Sequence, residues 1–218
     1  MFFFEFSDLL SRKKEVMNKI FIIVILTFGF SIQNLFSQTQ NCKFEYDPSQ
    51  TKLEWTAYKF TEKTGVKGTF DKITVTGTTK SESIQSSMAT AKFTISPNDI
   101  NSSVPDRDSK IKEFFFELPK NQKPIVGTLS DIKGNSNGTA FLILNLNGIT
   151  KKIPLEYKID GNTIVATGEL DVVDFGLSKG LAKLNEVCLE LHKGADGKSK
   201  LWPNVSLKIE SKFKSSCK

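Results

Sequence analysis

From Tyr46 onward, apolar and polar positions alternate with a period of two. In TKLEWTAYKF, Leu53, Trp55 and Ala57 fall on one face and Lys52, Glu54 and Thr56 on the other, the pattern of a half-buried antiparallel strand. The alternation recurs in GVKGTF (Val66, Gly68, Phe70), KITVTG (Ile73, Val75), MATAKFTIS (Ala89, Ala91, Phe93, Ile95) and NVSLKIES (Val205, Leu207, Ile209), and four further stretches between Pro124 and Val172 carry it. Glycine, asparagine, aspartate and proline separate these runs. KGNSNGT and KIDGNT have the composition of tight hairpin reversals. Eight or more short strands joined mostly by hairpins predict a single antiparallel barrel or sandwich.

Two segments leave this period. In DRDSKIKEFFFE, Ile111, Phe114, Phe115 and Leu118 have helical spacing, with acidic residues at the start and Pro119 to stop the run. In SKGLAKLNEVCLELHKG, Leu181, Leu184, Val187, Cys188 and Leu191 form one stripe, with Ser178 placed to cap the start and Gly194 the end. One or two short helices are therefore expected beside the strands.

Ahead of the strands, Met17-Asn18-Lys19 leads into an apolar run from Ile20 to Phe30 and then into the small, polar stretch Leu35-Phe36-Ser37-Gln38. This is the order of a secretory signal peptide with cleavage after Ser37. The run is shorter than the ~20 residues of a membrane-spanning helix, so no stable span is expected. Residues 1–16 carry no targeting pattern, which makes Met17 the expected start. The domain is then residues 38–218, of a length for one core, in the periplasm or outside the cell.

Without residues 1–37 the charged residues number 26 basic and 21 acidic. The lysines are spread along the chain rather than clustered, the arrangement of a solvated surface and not of a nucleic-acid-binding stripe. Cys42, Cys188 and Cys217 have no metal-ligand spacing and fit one disulfide plus one free thiol in an exported protein. Cys42–Cys188 and Cys42–Cys217 are both open on this reading.

Little in the sequence points to catalysis. His192 is the single histidine and lies at the end of the second helical segment, where it suits a helix terminus. No zinc ligand set, G-x-S-x-G, phosphate loop or H-E-x-x-H is present. A non-enzyme without cofactor or metal is expected, the alternative being a redox or hydrolytic enzyme using Cys188 and His192, four apart on one helix face. The chain's aromatic surplus has two readings. Phe114 and Phe115 either plug one end of the barrel or line the mouth of a cavity, since an eight-stranded barrel is just wide enough to be filled or to hold one small ligand. The small inward residues Ala57, Gly68, Ala89 and Ala91 favour the cavity. The filled alternative is a protein-interaction module.

The order of features is informative. YDPSQTKLEWTAYKF, GVKGTFDKI, RDSKIKEFFF, LNLNGITKKIPLEY and VDFGL follow one another as the blocks of the YceI-like, polyisoprenoid-binding, lipocalin-like family do, and the chain resembles that family from about Tyr46 to Ile209. The resemblance implies an all-β fold, a closed antiparallel lipocalin-like barrel of about eight strands with one or two short helices. It also implies a channel for an isoprenoid chain of the quinone or prenyl phosphate type. By position, Trp55, Phe70, Phe93, Phe114 and Phe115 line or close that channel, joined in the candidate ligand-binding set by Ala57, Ala91, Leu142 and Leu144, while Arg107 and Asp108 brace the helix. The stretch LNEVCLELHKGADGKSKLW resembles a subgroup with a Cys and a His on this helix, which favours Cys42–Cys188 as the disulfide. Two histidines common in the family are replaced by Gln50 and Lys59, so head-group contacts attributed to them do not carry over. The expected protein holds an isoprenoid or similar amphiphilic lipid for transport, storage or sequestration.

Overall fold

The computed structural model describes residues 41–117 and 120–217. The expected leader, its cleavage point and the Met17 start lie outside the described residues, as do Leu118 and Pro119. Ten strands form one antiparallel sheet: β1 (Cys42–Lys59), β2 (Thr64–Phe70), β3 (Thr74–Thr76), β4 (Lys92–Ile95), β5 (Ile100–Asn101), β6 (Ile125–Gly134), β7 (Asn137–Leu146), β8 (Ile149–Asp160), β9 (Thr163–Asp171) and β10 (Leu201–Cys217). Their order in the sheet is β3-β4-β6-β7-β8-β9-β10-β1-β2-β5.

The sheet curls into a half-barrel whose ladder ends at β3 on one side and β5 on the other. The expectation of a closed barrel with about eight strands is revised accordingly. After Phe70 the backbone N–H of Asp71 donates to Asp99 O at 2.7 Å, and β2 pairs with the two-residue β5. β3, only three residues long, pairs with β4 instead.

Hairpin chemistry fixes the middle of the sheet. β6 turns into β7 at Gly134 and β8 into β9 at Gly161, both with positive φ, and β7 turns into β8 through Asn147 and Gly148, whose φ values of 54° and 82° suit an Asn-Gly reversal. The longest ladder joins β1 to β10, with irregularities between Tyr46 and Thr51 and between Ala57 and Lys59.

Helix α1 (Ile84–Ala89) takes in Met88 and Ala89, the first two residues of the expected MATAKFTIS strand; the Ser83 hydroxyl accepts from Ser86 N–H and caps it, and the strand begins only at Lys92. Helix α2 (Pro105–Lys110) continues without a break into a π-helical turn, Ile111–Phe115. Helix α3 (Ser178–Val187) starts after the left-handed Gly176 and ends at Cys188, short of Gly194. The 3-10 turn Leu189–His192 follows. That change of helix type swings Leu191 out to solvent, away from the stripe of Leu181 and Leu184. No helix among the described residues is long and apolar enough to cross a membrane.

Candidate functional site

The concave face of the sheet, the π-turn and α3 enclose an apolar cavity of about 170 Å3. An apolar cavity of about 150 Å3 holds a benzene ring, so this space is large enough to admit a small apolar group. Leu53, Trp55 and Ala57 enter it from β1, Phe70 from β2, Phe93 from β4, Leu142 and Leu144 from β7. Phe115 enters from the π-turn, and Leu181 and Leu184 from α3.

The wall keeps its polar atoms to itself. Trp55 Nε1 donates to Thr69 O at 3.1 Å, Trp202 Nε1 donates to Phe60 O at 2.7 Å, and the Tyr58 hydroxyl bonds Ser206 Oγ at 2.7 Å. Each is satisfied within the wall, so the lumen presents hydrocarbon. A polar guest gains nothing there, and an apolar one gains about 0.8 kcal/mol for each methylene removed from water.

Seven of the nine residues expected to bind ligand line this cavity: Trp55, Ala57, Phe70, Phe93, Phe115, Leu142 and Leu144. Ala91 lines a second apolar chamber of about 80 Å3, together with Tyr46, Ile73, Val75, Met88 and Phe213. Phe114 lines neither; Phe116, buried, takes the cavity position instead. The π-turn is the cause. Phe116 N–H donates to Ile111 O five residues back, at 3.1 Å, which rotates the inward face from the α-helical 111-114-115 set to Ile111, Phe115 and Phe116. The rings of Phe115 and Phe116 meet edge to face, 4.9 Å between centroids.

Trp202 is a second lining residue absent from the expected set. Lys59 pairs with Leu201 while Ala57 pairs with Val205, so β10 bulges through Trp202, Pro203 and Asn204 and the inward parity established at Val205 is broken. Pro203, which donates no ladder hydrogen bond, is the sequence mark of that bulge. Of the small residues expected to leave room, Gly68 is roofed by the Trp55 indole and Ala89 is exposed on α1.

A side pocket of about 280 Å3 adjoins the main cavity, with Trp55, Ala57, Tyr58, Ile111, Leu184 and Leu201 lining both. This pocket carries the site's charge. Lys59, Asp106, Arg107, Lys110, Cys188 and His192 line it, beside the exposed Val104 and Leu191. Lys59 Nζ donates to Leu191 O at 3.1 Å, and Lys110 Nζ to Asp106 Oδ2 at 3.0 Å, a contact that pushes the Lys110 ammonium up from its ordinary value. His192 Nδ1 meets Asn185 Oδ1 at 3.1 Å; burial first, and then Lys59, lower its pKa to about 4. Burial pushes the Cys188 thiol up, the reverse of what a nucleophilic thiolate needs. No side-chain hydrogen bond joins Cys188 to His192.

Arg107 and Asp108 converge on Ser102. Arg107 Nε donates to Ser102 Oγ at 2.8 Å and Arg107 Nη2 to Ser102 O at 2.6 Å. Asp108 Oδ1 accepts from Ser102 N–H at 2.8 Å and from the Ser102 hydroxyl. The pair thus ties the start of α2 to the residue that follows β5.

The disulfide differs from the pairing expected from the subgroup likeness. It joins Cys42 to Cys217, and Cys188 is the buried free thiol. Cys42 and Cys217 face each other across the β1–β10 ladder, 4.0 Å between Cα atoms, whereas Cys188 sits at the end of α3 against the side pocket.

The YceI-like domain profile matches residues 44–213. The chain belongs to the YceI-like family. Among solved structures, this YceI-like chain is similar to a polyisoprenoid binding domain from Saccharophagus degradans implicated in plant cell wall breakdown, at 13% identity and a TM-score of 0.56 over 81% of this chain and 99% of that one. It is also similar to Burkholderia cenocepacia BcnA, at 14% identity and 0.52 over 78% and 99%. A Campylobacter jejuni YceI protein gives 18% identity and 0.50 over 71% and 86%. At these identities the likeness speaks to the fold. No curated protein matches the sequence. A YceI-like fold around an apolar cavity supports lipid binding.

Proposed function

We propose that the protein is exported and holds one isoprenoid or similar long-chain amphiphile, of the quinone or prenyl phosphate type, for transport, storage or sequestration without transforming it. One observation carries this reading: the main cavity is lined by apolar and aromatic side chains whose few polar atoms are all bonded back into the wall. Burial of a tail there needs no chemistry from the protein. The polar end of the guest remains in the side pocket, near the cations of Lys59, Arg107 and Lys110 and close to solvent. The polyisoprenoid-binding relative adds support for the class of ligand.

Native mass spectrometry of the purified protein, followed by organic extraction, tests the proposal. The expected result is a bound mass that extracts into organic solvent and fragments as a prenyl or other long-chain lipid. A protein that purifies empty and also takes up neither added quinones nor prenyl phosphates contradicts it.

A further inference from the structure

The main cavity and the second chamber share a wall of four side chains: Leu53, Phe93, Ile95 and Ile209. Three are held firmly. Leu53 and Ile209 are cross-strand partners within the β1–β10 ladder, and Ile95 is 2% exposed in the core. Phe93 differs. It stands on the four-residue β4, beside the three-residue edge strand β3, and its cross-strand partner on β6 is Gly127. The ring lies on that glycine: a β-carbon at Gly127 would come within 2.1 Å of Phe93 Cζ and 2.3 Å of Cε2. Gly127 has no side chain to interlock with the ring, and two side-chain torsions move it.

The second chamber offers no polar site at its end. The Tyr46 hydroxyl bonds Thr51 Oγ1, which in turn bonds Ser211 Oγ at 2.9 Å. The Tyr157 hydroxyl donates to the carbonyls of Lys133 and Gly134, each at 3.0 Å. No buried side-chain nitrogen or oxygen among the described residues lacks a partner. This chamber therefore suits the apolar end of a guest, and the charged side pocket at the other end of the main cavity suits its head.

We infer that Phe93 is the throat of a two-chamber tube and determines the length of tail the protein accepts. With its ring flat on Gly127 the throat is at its widest, and a tail longer than the main cavity pushes past it into the second chamber. A ring lifted off Gly127 stops the tail at the boundary. The inference rests on the lipid-binding reading above and adds to it a specificity for tail length, set by one residue pair.

The test is a binding series with geraniol, farnesol, geranylgeraniol and solanesol, run on wild type, Gly127→Ala, Phe93→Ala and the double variant, each checked for folding by circular dichroism. Every further carbon that passes the throat adds up to about fourfold in affinity. In Gly127→Ala the methyl lifts the ring, so the gain with length ends at a shorter alcohol than in wild type, and the longer members lose at least about tenfold relative to the shorter. Phe93→Ala keeps gaining with length at least as far as wild type. The double variant, with no ring to lift, follows Phe93→Ala, and this comparison holds even where Gly127→Ala alone is too unstable to assay. Gain with length that ends at the same alcohol in all four proteins overturns the throat while leaving lipid binding intact. Failure of every protein to bind any member overturns both.

Discussion

The indole of Trp55 lies against Gly68 on the neighbouring strand, so closely that a β-carbon on Gly68 would stand 2.1 Å from Trp55 Cζ2. The indole is also anchored by its N–H to Thr69 O, and it cannot move aside without breaking that bond. Gly68 thus lets a large ring lie against the cavity wall instead of across the cavity. Gly68→Ala is expected to lower stability by about 1–3 kcal/mol, the usual cost of overpacking, with a change in tryptophan emission. Denaturant melts of the two proteins measure it.

The Cys42–Cys217 disulfide ties the first residue of β1 to the last of β10 across a separation of 175 residues. Closing so long a loop restricts the unfolded chain, and its removal by Cys42→Ser is expected to cost about 2–5 kcal/mol. Cys188→Ser leaves the disulfide in place. Peptide mapping under non-reducing conditions should recover the Cys42–Cys217 pair and no pair containing Cys188.

Much of this was legible in the alternation of side chains. Leu53, Trp55 and Ala57, and likewise Val205, Leu207 and Ile209, line the cavity as the period of two requires. Parity failed wherever the backbone adds a residue that hydrophobicity does not reveal. The β10 bulge brought in Trp202, and the π-turn exchanged Phe114 for Phe116. Helix α1, a single turn and a half capped by Ser83, is too short for a helical period to stand out in IQSSMA. Whether a glycine such as Gly68 leaves a void or receives a neighbour's ring depends on the strand beside it, which only the register supplies. Cysteine pairing depends on the register in the same way.

Cys188 also separates the carrier from the redox or hydrolytic alternative. Buried, with its pKa pushed up, it is expected to react with iodoacetamide at neutral pH far more slowly in the folded protein than in urea. Cys188→Ala is expected to bind lipid like wild type. An activity abolished by that substitution, with lipid binding unaffected, supports the enzyme instead.

The single histidine gives a pH test with one assignable signal. The unfolded chain takes up a proton at His192 near the ordinary 6.5, the folded one only near 4. Between those values the unfolded state holds more protons, so this residue's contribution to stability is complete above about 6.5 and is lost as the pH falls toward 4. Imidazole proton shifts should titrate with a midpoint near 4, and His192→Gln should lose less stability than wild type over the same interval. A midpoint near 6.5 contradicts the partial burial of this ring.

Asp108 accepts two hydrogen bonds from Ser102 while Arg107 donates two to the same residue. Asp108→Ala strands these donors and is expected to cost about 1.5–3 kcal/mol, with Asp108→Asn milder because one acceptor oxygen remains. Thermal melts of both variants measure the difference.

Both tryptophans of the chain, Trp55 and Trp202, line the main cavity, so intrinsic fluorescence reports directly on whether the cavity takes a guest. Titrating delipidated, folded protein with geranylgeraniol should give a saturable change in emission at one alcohol per chain, absent in urea. Emission that stays unchanged up to the solubility limit of the alcohol, in protein still folded by circular dichroism, contradicts the account.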